Sequence, residues 1–327
     1  MLSVELIAPG RPAAEALQLV ERTCPHPGPG QVRIRMLARP VNPADLLLLD
    51  GRHVYTPSLP AVVGIEGAGL IEAVAEGVSL APGTLVAVPS GGTWREQMIV
   101  AADAVLALPP DFDSEQAATL SVNPFTAAGL LQGLEPGDDV LLNAAGSALA
   151  KLVLALARLR GLQVIAVVRS PHHREALLAL GAVAVLLEGP DLDAQWRSAG
   201  LQQVRRALDA VAGTASAWLF ERVAEGGELV IYGLLASDQV RLPAASLIFR
   251  DVRVRGYSRL RSLAAMESAE RAALSEELIT LVRSGLIETS VAARYPLAQA
   301  AEAVEQARRP GNSGKILLVS PDPRQPA

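Results

Sequence analysis

Cysteine is nearly absent from this chain of 327 residues, which contains only Cys24. A single cysteine excludes a disulfide within the chain and a zinc site built from several thiolates. Aromatic residues are also scarce, at 3%, although half of all residues are hydrophobic. The hydrophobic cores must therefore be built mainly from alanine, leucine and valine.

Long apolar runs and basic stripes are missing as well. The most apolar predicted helix, 148–159, contains Lys151 and Arg158 and is shorter than the roughly 20 apolar residues that cross a membrane. The N-terminus carries Glu5 and no long apolar run, which is atypical of a signal or transit peptide. The net charge is −5, and no Lys/Arg stripe is interleaved with aromatic residues. We expect a cytoplasmic protein that binds neither a membrane nor nucleic acid.

The chain changes character near residue 118. Residues 1–115 carry alternating, strand-like segments such as QVRIRMLA (31–38) and GLIEAVA (69–75). Beyond residue 118, strands and helices alternate, which predicts an α/β fold with a doubly wound parallel sheet. After Tyr257 come a long predicted helix at 264–284, a helix at 297–308 and a strand at 315–319.

These last elements are too few to form a domain of their own, so we expect them to return to the first domain. The predicted division is therefore a β-rich domain made of residues 1–117 and 260–327, and a nucleotide-binding domain made of residues 118–259.

Leu141 to Arg169 is the most informative stretch. It reads as a buried strand, a turn of small residues, an amphipathic helix and a second buried strand, the first βαβ unit of a nucleotide-binding sheet. The turn NAAGSALA (143–150) does not spell G-x-G-x-x-G, because Ala145, Ser147 and Ala150 hold the three glycine positions. A plain strand–turn–helix connection explains this turn about as well as a cofactor site does.

Arg169 favours the cofactor site. It stands at the end of the second strand, where enzymes that use NAD place an acidic residue for the ribose hydroxyl. A guanidinium there suits a 2′-phosphate, and Ser170, His172, His173 and Arg174 add further donors. The pattern predicts NADP(H) as the cofactor; the alternative is a solvated basic helix start.

Five segments then identify a family. Gly92-Thr93-Trp94 and Val122-Asn123-Pro124 are the most specific marks, and the segments stand in the order that the family shows. They are VNPADLLLLDG (41–51), LPAVVGIEGAGLIEAVAEGV (59–78), GTWREQMIV (92–100), ATLSVNPFTA (118–127) and LIFRDVRVRGY (247–257). The chain resembles the medium-chain dehydrogenase/reductase superfamily, closest to the mitochondrial-type trans-2-enoyl-CoA/acyl-carrier-protein reductases. The resemblance implies a GroES-like β-rich substrate domain and a Rossmann domain.

The zinc ligands of the superfamily are missing. Zinc-dependent members carry G-H-E-x-x-G with the histidine as a metal ligand, and the corresponding segment here is Gly64-Ile65-Glu66-Gly67-Ala68-Gly69. Ile65 cannot bind a metal, and the whole chain has four histidines. We predict that no metal is bound and that Glu66 is structural.

The resemblance also implies a role for particular residues. Asn123 would contact the nicotinamide, Arg169 would bind the 2′-phosphate, and Trp94 would line the acyl pocket, with core packing as its alternative. Asn42 and Asp45 fit a helix start with Pro43 in the first turn at least as well as they fit catalysis. The remaining residues implied to hold the cofactor are Gly146, Ser147, Ala148, Leu149, Ser170, Tyr232, Gly233, Leu234, Leu235, Tyr257, Ser258, Arg259 and Lys315.

One position departs from the enoyl reductases. They carry a catalytic tyrosine two residues after the glycine equivalent to Gly51, and this chain has His53 there. Either His53 takes over the proton transfer, or a shifted loop delivers Tyr55, or His53 is a solvated loop residue and the chemistry has changed. An imidazole exchanges protons near neutral pH and can serve as the acid.

The sequence thus predicts an NADPH-dependent, zinc-free oxidoreductase that reduces an activated C=C bond, with a trans-2-enoyl thioester as the first choice of substrate. A quinone or 2-alkenal reductase is the alternative. An NADPH-binding regulatory protein with little turnover is a second alternative. We also expect a homodimer in which the apolar run 244–249 and the strand after it supply the contact.

Overall fold

The structure, a computed structural model, describes residues 1–312 and 314–324. The chain divides into two compact units. The first contains residues 1–123 and the described residues from Glu276 onward, and the second contains Pro124–Ser275. The first unit therefore combines both ends of the chain.

The first unit is built around β-sheets. One sheet has the strand order β2-β1-β4, and the other runs β15-β16-β3-β5-β6-β8 with β7 paired to β3. Numbered along the whole chain, its strands are β1 (Leu2–Leu6), β2 (Leu17–Glu21), β3 (Gln31–Pro40), β4 (Ala61–Val62), β5 (Gly67–Val74), β6 (Leu85–Val88), β7 (Gln97–Ala101), β8 (Leu106–Ala107), β15 (Val291–Pro296) and β16 (Lys315–Val319). Its helices are α1 (Ala13–Ala16), α2 (Pro43–Leu49), α3 (Ser114–Leu120) and α12 (Ala300–Arg308), with 3₁₀ turns at Ala102–Ala104 and Leu297–Gln299.

The alternation in the sequence explains the central strand pair of this unit. In β3, the side chains of Val32, Ile34 and Met36 are buried on one face, and the strand pairs antiparallel with β5. A Cβ on Gly69 of β5 would collide with the Arg35 carbonyl oxygen of β3 and lie 2.7 Å from Ile34 Cγ2. The absence of a side chain at this position permits the close approach of the strands.

The second unit contains a six-stranded parallel sheet of order β11-β10-β9-β12-β13-β14. Its strands are β9 (Asp139–Leu142), β10 (Gln163–Val168), β11 (Ala182–Leu187), β12 (Val204–Asp209), β13 (Val223–Ile231) and β14 (Arg253–Gly256). Its helices are α4 (Asn123–Leu130), α5 (Ala148–Leu159), α6 (Arg174–Ala179), α7 (Leu192–Ser198), α8 (Thr214–Glu221), α9 (Ala244–Phe249) and α10 (Arg259–Ala265), with a 3₁₀ turn at Pro171–His173, and α11 (Ser268–Arg283) continues into the first unit. This is the predicted doubly wound α/β arrangement.

The order in which the chain adds strands to the sheet reverses between β9 and β12. The chain moves from β9 outward to β10 and β11, then returns to the other side of β9 and continues through β12, β13 and β14. In open parallel sheets, ligands bind beyond the carboxyl ends of the strands at this switch point. The topology therefore directs attention to the residues that follow Leu142 and Asp209.

The domain boundaries differ from the predicted divisions at 117/118 and 259/260. Helix α3 packs against β3, β5 and β6, and Gln116 exchanges two hydrogen bonds of 3.0 Å with the backbone of Thr289, so the whole helix belongs to the first unit. The predicted helix 264–284 is divided into α10 and α11, because the backbone is extended at Met266. The start of α11 belongs to the second unit, where Gln132 Nε2 donates to Glu270 Oε1 at 3.4 Å.

Among residues 1–312 and 314–324, no helix combines the length and the apolarity that crossing a membrane requires.

Candidate functional site

The ends of β9 and β12 are joined by buried side chains. Asp209 is fully buried, and its carboxylate accepts hydrogen bonds from Asn143 Nδ2 at 2.6 Å and from Ser216 Oγ at 2.5 Å. Its Oδ1 atom also accepts the backbone N–H groups of Val211 and Ala212. Asn143 Oδ1 in turn accepts the N–H of Ala210 at 2.8 Å. These bonds fix the sheet edge at the switch point.

The turn after β9 leads from this anchor into α5. Ala144 has a positive φ of 48°, and Ser147 caps α5 by accepting the Ala150 N–H at 3.2 Å. The predicted residues Gly146, Ser147, Ala148 and Leu149 lie in this turn and in the first turn of α5. The first N–H groups of a helix lack partners within the helix and attract anions. The turn therefore offers a phosphate site.

The segment after β10 lies against this turn. A Cβ on Gly146 would lie 2.7 Å from Nε2 of His173, so the imidazole rests directly on the Gly146 backbone. Ser170 Oγ lies 2.5 Å from His172 Nδ1. Arg169 is exposed at the carboxyl end of β10. The structure thus brings the predicted residues at 169–170 to the strand end next to β9, as a dinucleotide site requires.

The carboxyl ends of β13 and β14 line a cavity of about 750 Å³. The hydroxyl of Tyr232 is buried without a hydrogen-bond partner within the described residues, and burial raises the pKa of this phenol. A Cβ on Gly233 would lie 2.6 Å from the carbonyl oxygen of Ala210, so only glycine fits there. The cavity is lined by Gly129, Gln132, Ile231, Tyr232, Gly233, Leu234, Arg255, Gly256, Tyr257, Ser258, Arg261 and Ser262.

The predicted cofactor residues of the second unit therefore lie in two groups at the carboxyl ends of the parallel strands. Of those following β13 and β14, Leu235 and Arg259 do not line the cavity; Leu235 is exposed and Arg259 begins α10. Three features of this region fit a nucleotide cofactor: the turn of small residues, the close backbone approach at Gly233, and the Tyr232 hydroxyl, which has no partner among the described residues.

The first unit contains a separate buried polar cluster. Lys315 Nζ donates to Asn42 Oδ1, and Asn42 Nδ2 donates to Glu66 Oε1 at 3.0 Å. The Asn42 N–H donates to Asp45 Oδ2 at 2.8 Å, which completes a capping box at the start of α2, with Pro43 in its first turn. Lys315, assigned by resemblance to the cofactor site, is buried within this cluster. The acidic groups of Glu66 and Asp45 lie close enough to favour its ammonium form.

Burial dominates the electrostatics of this cluster. Desolvation raises the pKa of Asp45 to about 7, although the Asn42 N–H and the Lys315 ammonium favour its ionised form. Desolvation also lowers the pKa of Lys315, against the attraction of Glu66 and Asp45. Asp45 Oδ1 has no hydrogen-bond partner in the described residues. A carboxyl group in this setting keeps its proton more readily than an exposed one does.

Glu66 links the cluster to the predicted nicotinamide contact. Its Oε2 atom accepts Ser121 Oγ at 3.1 Å and the Val122 N–H at 2.9 Å. The next residue is Asn123, which is buried at the start of α4. Glu66 therefore holds the backbone immediately before Asn123.

The position of the Trp94 side chain corrects the prediction that it lines the acyl pocket. Its side chain is fully buried in the core of the first unit, together with Val4, Leu6 and Leu318, and its Nε1 donates to the Pro40 carbonyl oxygen at 3.3 Å. The indole therefore packs the core rather than lining an acyl pocket. The glycines and threonine before it fit the turn that leads into this core.

His53 and Tyr55 contact each other in the loop after α2. The Tyr55 N–H donates to His53 Nδ1 at 3.1 Å, and the phenol is 65% exposed. The same Nδ1 atom lies 3.3 Å from the Tyr55 carbonyl oxygen, so it accepts from the N–H in one tautomer and donates to the carbonyl in the other. Both predicted acids are thus accessible.

Sequence reasoning missed Asn143 and Asp209. Each is a polar residue directly at the end of a buried strand, DVLLN and RRALD, and that placement was the available signal. Their partnership depends on strand order, which places β9 beside β12.

A parallel sheet with a small-residue turn at its switch point, in one chain with a β-rich unit, defines a class of nucleotide-dependent oxidoreductases. Among the described residues, no group of three or more His, Cys, Asp or Glu side chains is arranged to hold a metal ion.

Comparison with known proteins agrees with this class. A family model described as alcohol dehydrogenase GroES-like domain matches residues 28–110, and one described as zinc-binding dehydrogenase matches residues 148–276. The mitochondrial enoyl-acyl-carrier-protein reductase of Homo sapiens is 34% identical over 88% of this chain and 80% of its own length. The chain belongs to the medium-chain dehydrogenase/reductase superfamily and is an NAD(P)H oxidoreductase.

Solved structures give the same fold. The Escherichia coli quinone oxidoreductase complexed with NADPH matches with a TM-score of 0.89 and 25% identity, over 98% of this chain and all of that chain. The Pseudomonas syringae quinone oxidoreductase matches with a TM-score of 0.86 and 25% identity, over 98% of this chain and 99% of that one.

The shifted pKa of Asp45 predicts a pH-dependent stability. Because its folded pKa lies above the ordinary value of 3.8, the carboxyl group disfavours the folded state progressively as pH rises from about 4 to about 7. The free energy of unfolding of the wild type should fall relative to that of Asp45→Asn across this window, by at most about 4 kcal/mol, and then level off. Urea unfolding at a series of pH values measures the difference.

Asp103→Asn is the control, since it removes an exposed carboxylate from the 3₁₀ turn at residues 102–104. A difference between the wild type and Asp45→Asn that stays constant from pH 4 to pH 8 would contradict the assignment.

Proposed function

We propose that this protein is an NADPH-dependent reductase that converts a trans-2-enoyl thioester into the saturated acyl thioester without a metal. The observation that carries the proposal is the pair Arg169–Ser170 at the end of β10, where NAD enzymes place an acid. The name of the human relative, an enoyl-acyl-carrier-protein reductase, supports the substrate class.

The second unit holds the cofactor in this proposal. Arg169 and Ser170 bind the 2′-phosphate, and the turn at Gly146–Leu149 binds the pyrophosphate. Gly233 and Tyr232 after β13 would hold the nicotinamide end, and the Tyr232 hydroxyl has no other partner in the part of the chain that the structure describes. The nicotinamide contact of Asn123 stays a prediction. When bound, the cofactor supplies a hydride.

The remaining chemistry is proton transfer and charge stabilisation. As Cβ of the enoyl thioester gains the hydride, negative charge collects on the thioester carbonyl oxygen, and a proton must then be delivered to Cα. His53 can deliver this proton as an imidazolium, and the ring that remains after the transfer is the neutral imidazole, whose Nδ1 accepts the Tyr55 N–H. The Tyr55 hydroxyl is the alternative donor. The product gains one hydride and one proton in total.

The metal-free part of the proposal rests on the residues of the first unit. Ile65 stands where zinc-dependent members have a histidine, and Glu66 next to it is bonded to Asn42, Ser121 and Val122. A carboxylate engaged in three hydrogen bonds is poorly placed to bind a metal. The enolate must therefore be stabilised by hydrogen bonds.

A quinone or 2-alkenal reductase is the second candidate. The solved quinone oxidoreductases of E. coli and P. syringae favour it, as does the histidine at position 53. An enoyl thioester needs an acid placed precisely enough to protonate its Cα atom. A quinone is protonated on oxygen, so its reduction depends less on such an acid.

NADPH oxidation with crotonyl-CoA, decenoyl-CoA and benzoquinone, repeated with NADH, separates the candidates. We expect NADPH-dependent turnover of the thioesters, lowered about a hundredfold in His53→Ala, the loss typical of a missing general acid. Tyr55→Phe is the matched variant and should keep activity if His53 is the acid. Turnover of benzoquinone alone would overturn the thioester proposal in favour of the quinone reductase.

We also propose that two copies associate through the edge of the second unit's sheet. Strand β14 lies at that edge, and the preceding α9 exposes Leu247, Ile248 and Phe249, the last of which is 81% exposed. Analytical ultracentrifugation should give a dimer for the wild type and a 34.2 kDa species for Phe249→Asp. Leu178→Asp, in the exposed part of α6, is the control and should stay dimeric. A wild type of 34.2 kDa at micromolar concentration would contradict the association.

A further inference from the structure

The buried amide of Asn42 has a different charged group on each side. Its Oδ1 atom accepts from Lys315 Nζ, and its Nδ2 atom donates to Glu66 Oε1 at 3.0 Å. A flipped amide would place its oxygen against the Glu66 carboxylate and its NH₂ group against the Lys315 ammonium, so the two charges fix its orientation. The amide is therefore a connection of defined direction between two charged side chains.

The backbone of Asn42 fixes the start of α2, and α2 in turn holds His53. The Asn42 N–H donates to Asp45 in the capping box of this helix of seven residues. In the last turn of α2, the Leu47 carbonyl oxygen accepts the N–H groups of Arg52 at 2.9 Å and His53 at 3.1 Å. A displacement at the start of α2 is therefore transmitted along about 10 Å of helix to the loop that carries His53.

The Nδ2 group of Asn42 connects α2 to the backbone before Asn123. Glu66, which accepts from Nδ2, is held at both its main chain and its side chain. Its carbonyl oxygen accepts from Thr93 Oγ1 at 2.7 Å, and its Oε2 atom accepts the Val122 N–H at 2.9 Å. Since Asn123 follows Val122 directly, the orientation of the Asn42 amide bears on both the His53 loop and Asn123.

We infer that Asn42 is a positioning residue that couples the loop of His53 to the backbone of Asn123. Reduction of an enoyl thioester places a hydride on Cβ and a proton on the adjacent Cα, so the group that delivers the proton needs a fixed relation to the group that meets the nicotinamide. The inference rests on the proposed function, which assigns proton transfer to His53, and on the predicted nicotinamide contact of Asn123. Every residue of the connection belongs to the first unit.

Asn42→Asp tests the coupling and keeps the helix cap. Aspartate caps a helix as well as asparagine does and still accepts from Lys315, but it places a carboxylate oxygen against Glu66 Oε1 in place of the Nδ2 donor. Amide hydrogen exchange should become faster in both segments 50–56 and 119–123, which contain the N–H groups held by Leu47 and Glu66. The kcat with crotonyl-CoA should fall about tenfold, because a small misplacement of a reacting group slows the chemical step, whereas the Kd of NADPH should be unchanged.

The double variant Asn42→Asp/Glu66→Gln reverses the hydrogen bond at unchanged net charge. The glutamine Nε2 then donates to the introduced carboxylate, and its Oε1 still accepts the Val122 N–H, so slow exchange in both segments and most of kcat should return. Asn42→Ser caps α2 but is too short to reach Glu66, so it should show the same loss without an added charge. Asn312→Asp is the control: it removes an amide donor to the end of α12 in the same unit and should leave kcat and both segments unchanged.

The outcomes separate this inference from the proposed function. Thioester turnover by the wild type, with faster exchange in neither or only one of the two segments of Asn42→Asp, would overturn the coupling and leave the proposed function intact. A loss of kcat that the double variant does not recover would do the same. Absence of thioester turnover in the wild type would overturn the proposed function, and the exchange rates of the two segments then decide the coupling by themselves.

Discussion

The carboxylate of Asp209 is the constraint on which the cofactor edge of the second unit depends. A buried acid is unfavourable unless its charge is satisfied, and here two side chains and two backbone N–H groups satisfy it. One of its donors is Asn143, the last residue before the turn that enters α5. Because β9 and β12 flank the switch point of the sheet, this single group fixes both the start of the phosphate turn and the loop after β12.

In the first unit, Glu66 likewise holds a backbone segment through buried hydrogen bonds. Its carboxylate accepts from Asn42, Ser121 and the Val122 N–H, and so holds the backbone next to Asn123. The capping box at α2 and the buried ammonium of Lys315 complete a cluster in which every charge has a nearby counter-charge or donor. In both units, a buried carboxylate positions backbone that the proposed function assigns to the cofactor.

The strands whose bounds depend only on local sequence pattern were predicted correctly. Strands 163–168, 182–187 and 315–319 coincide with β10, β11 and β16, because continuous apolar runs bounded by turn residues identify buried strands. The sequence could not predict that Lys315 would meet Asn42, since 273 positions separate them and only the folded sheet brings them together. Trp94 was misassigned for the same reason: a tryptophan after small residues reads equally well as a pocket wall or as core. The partnership of Asn143 with Asp209 required the strand order.

The central claim is that hydride from NADPH reaches the β carbon of an enoyl thioester while the protein supplies the second hydrogen as a proton. Mass spectrometry of the product formed from crotonyl-CoA and NADPH deuterated at both C4 positions of the nicotinamide tests it most directly. We predict butyryl-CoA with one deuterium at C3 and one solvent hydrogen at C2. Recovery of unreacted crotonyl-CoA, with benzoquinone reduced by the same enzyme sample, would contradict the account.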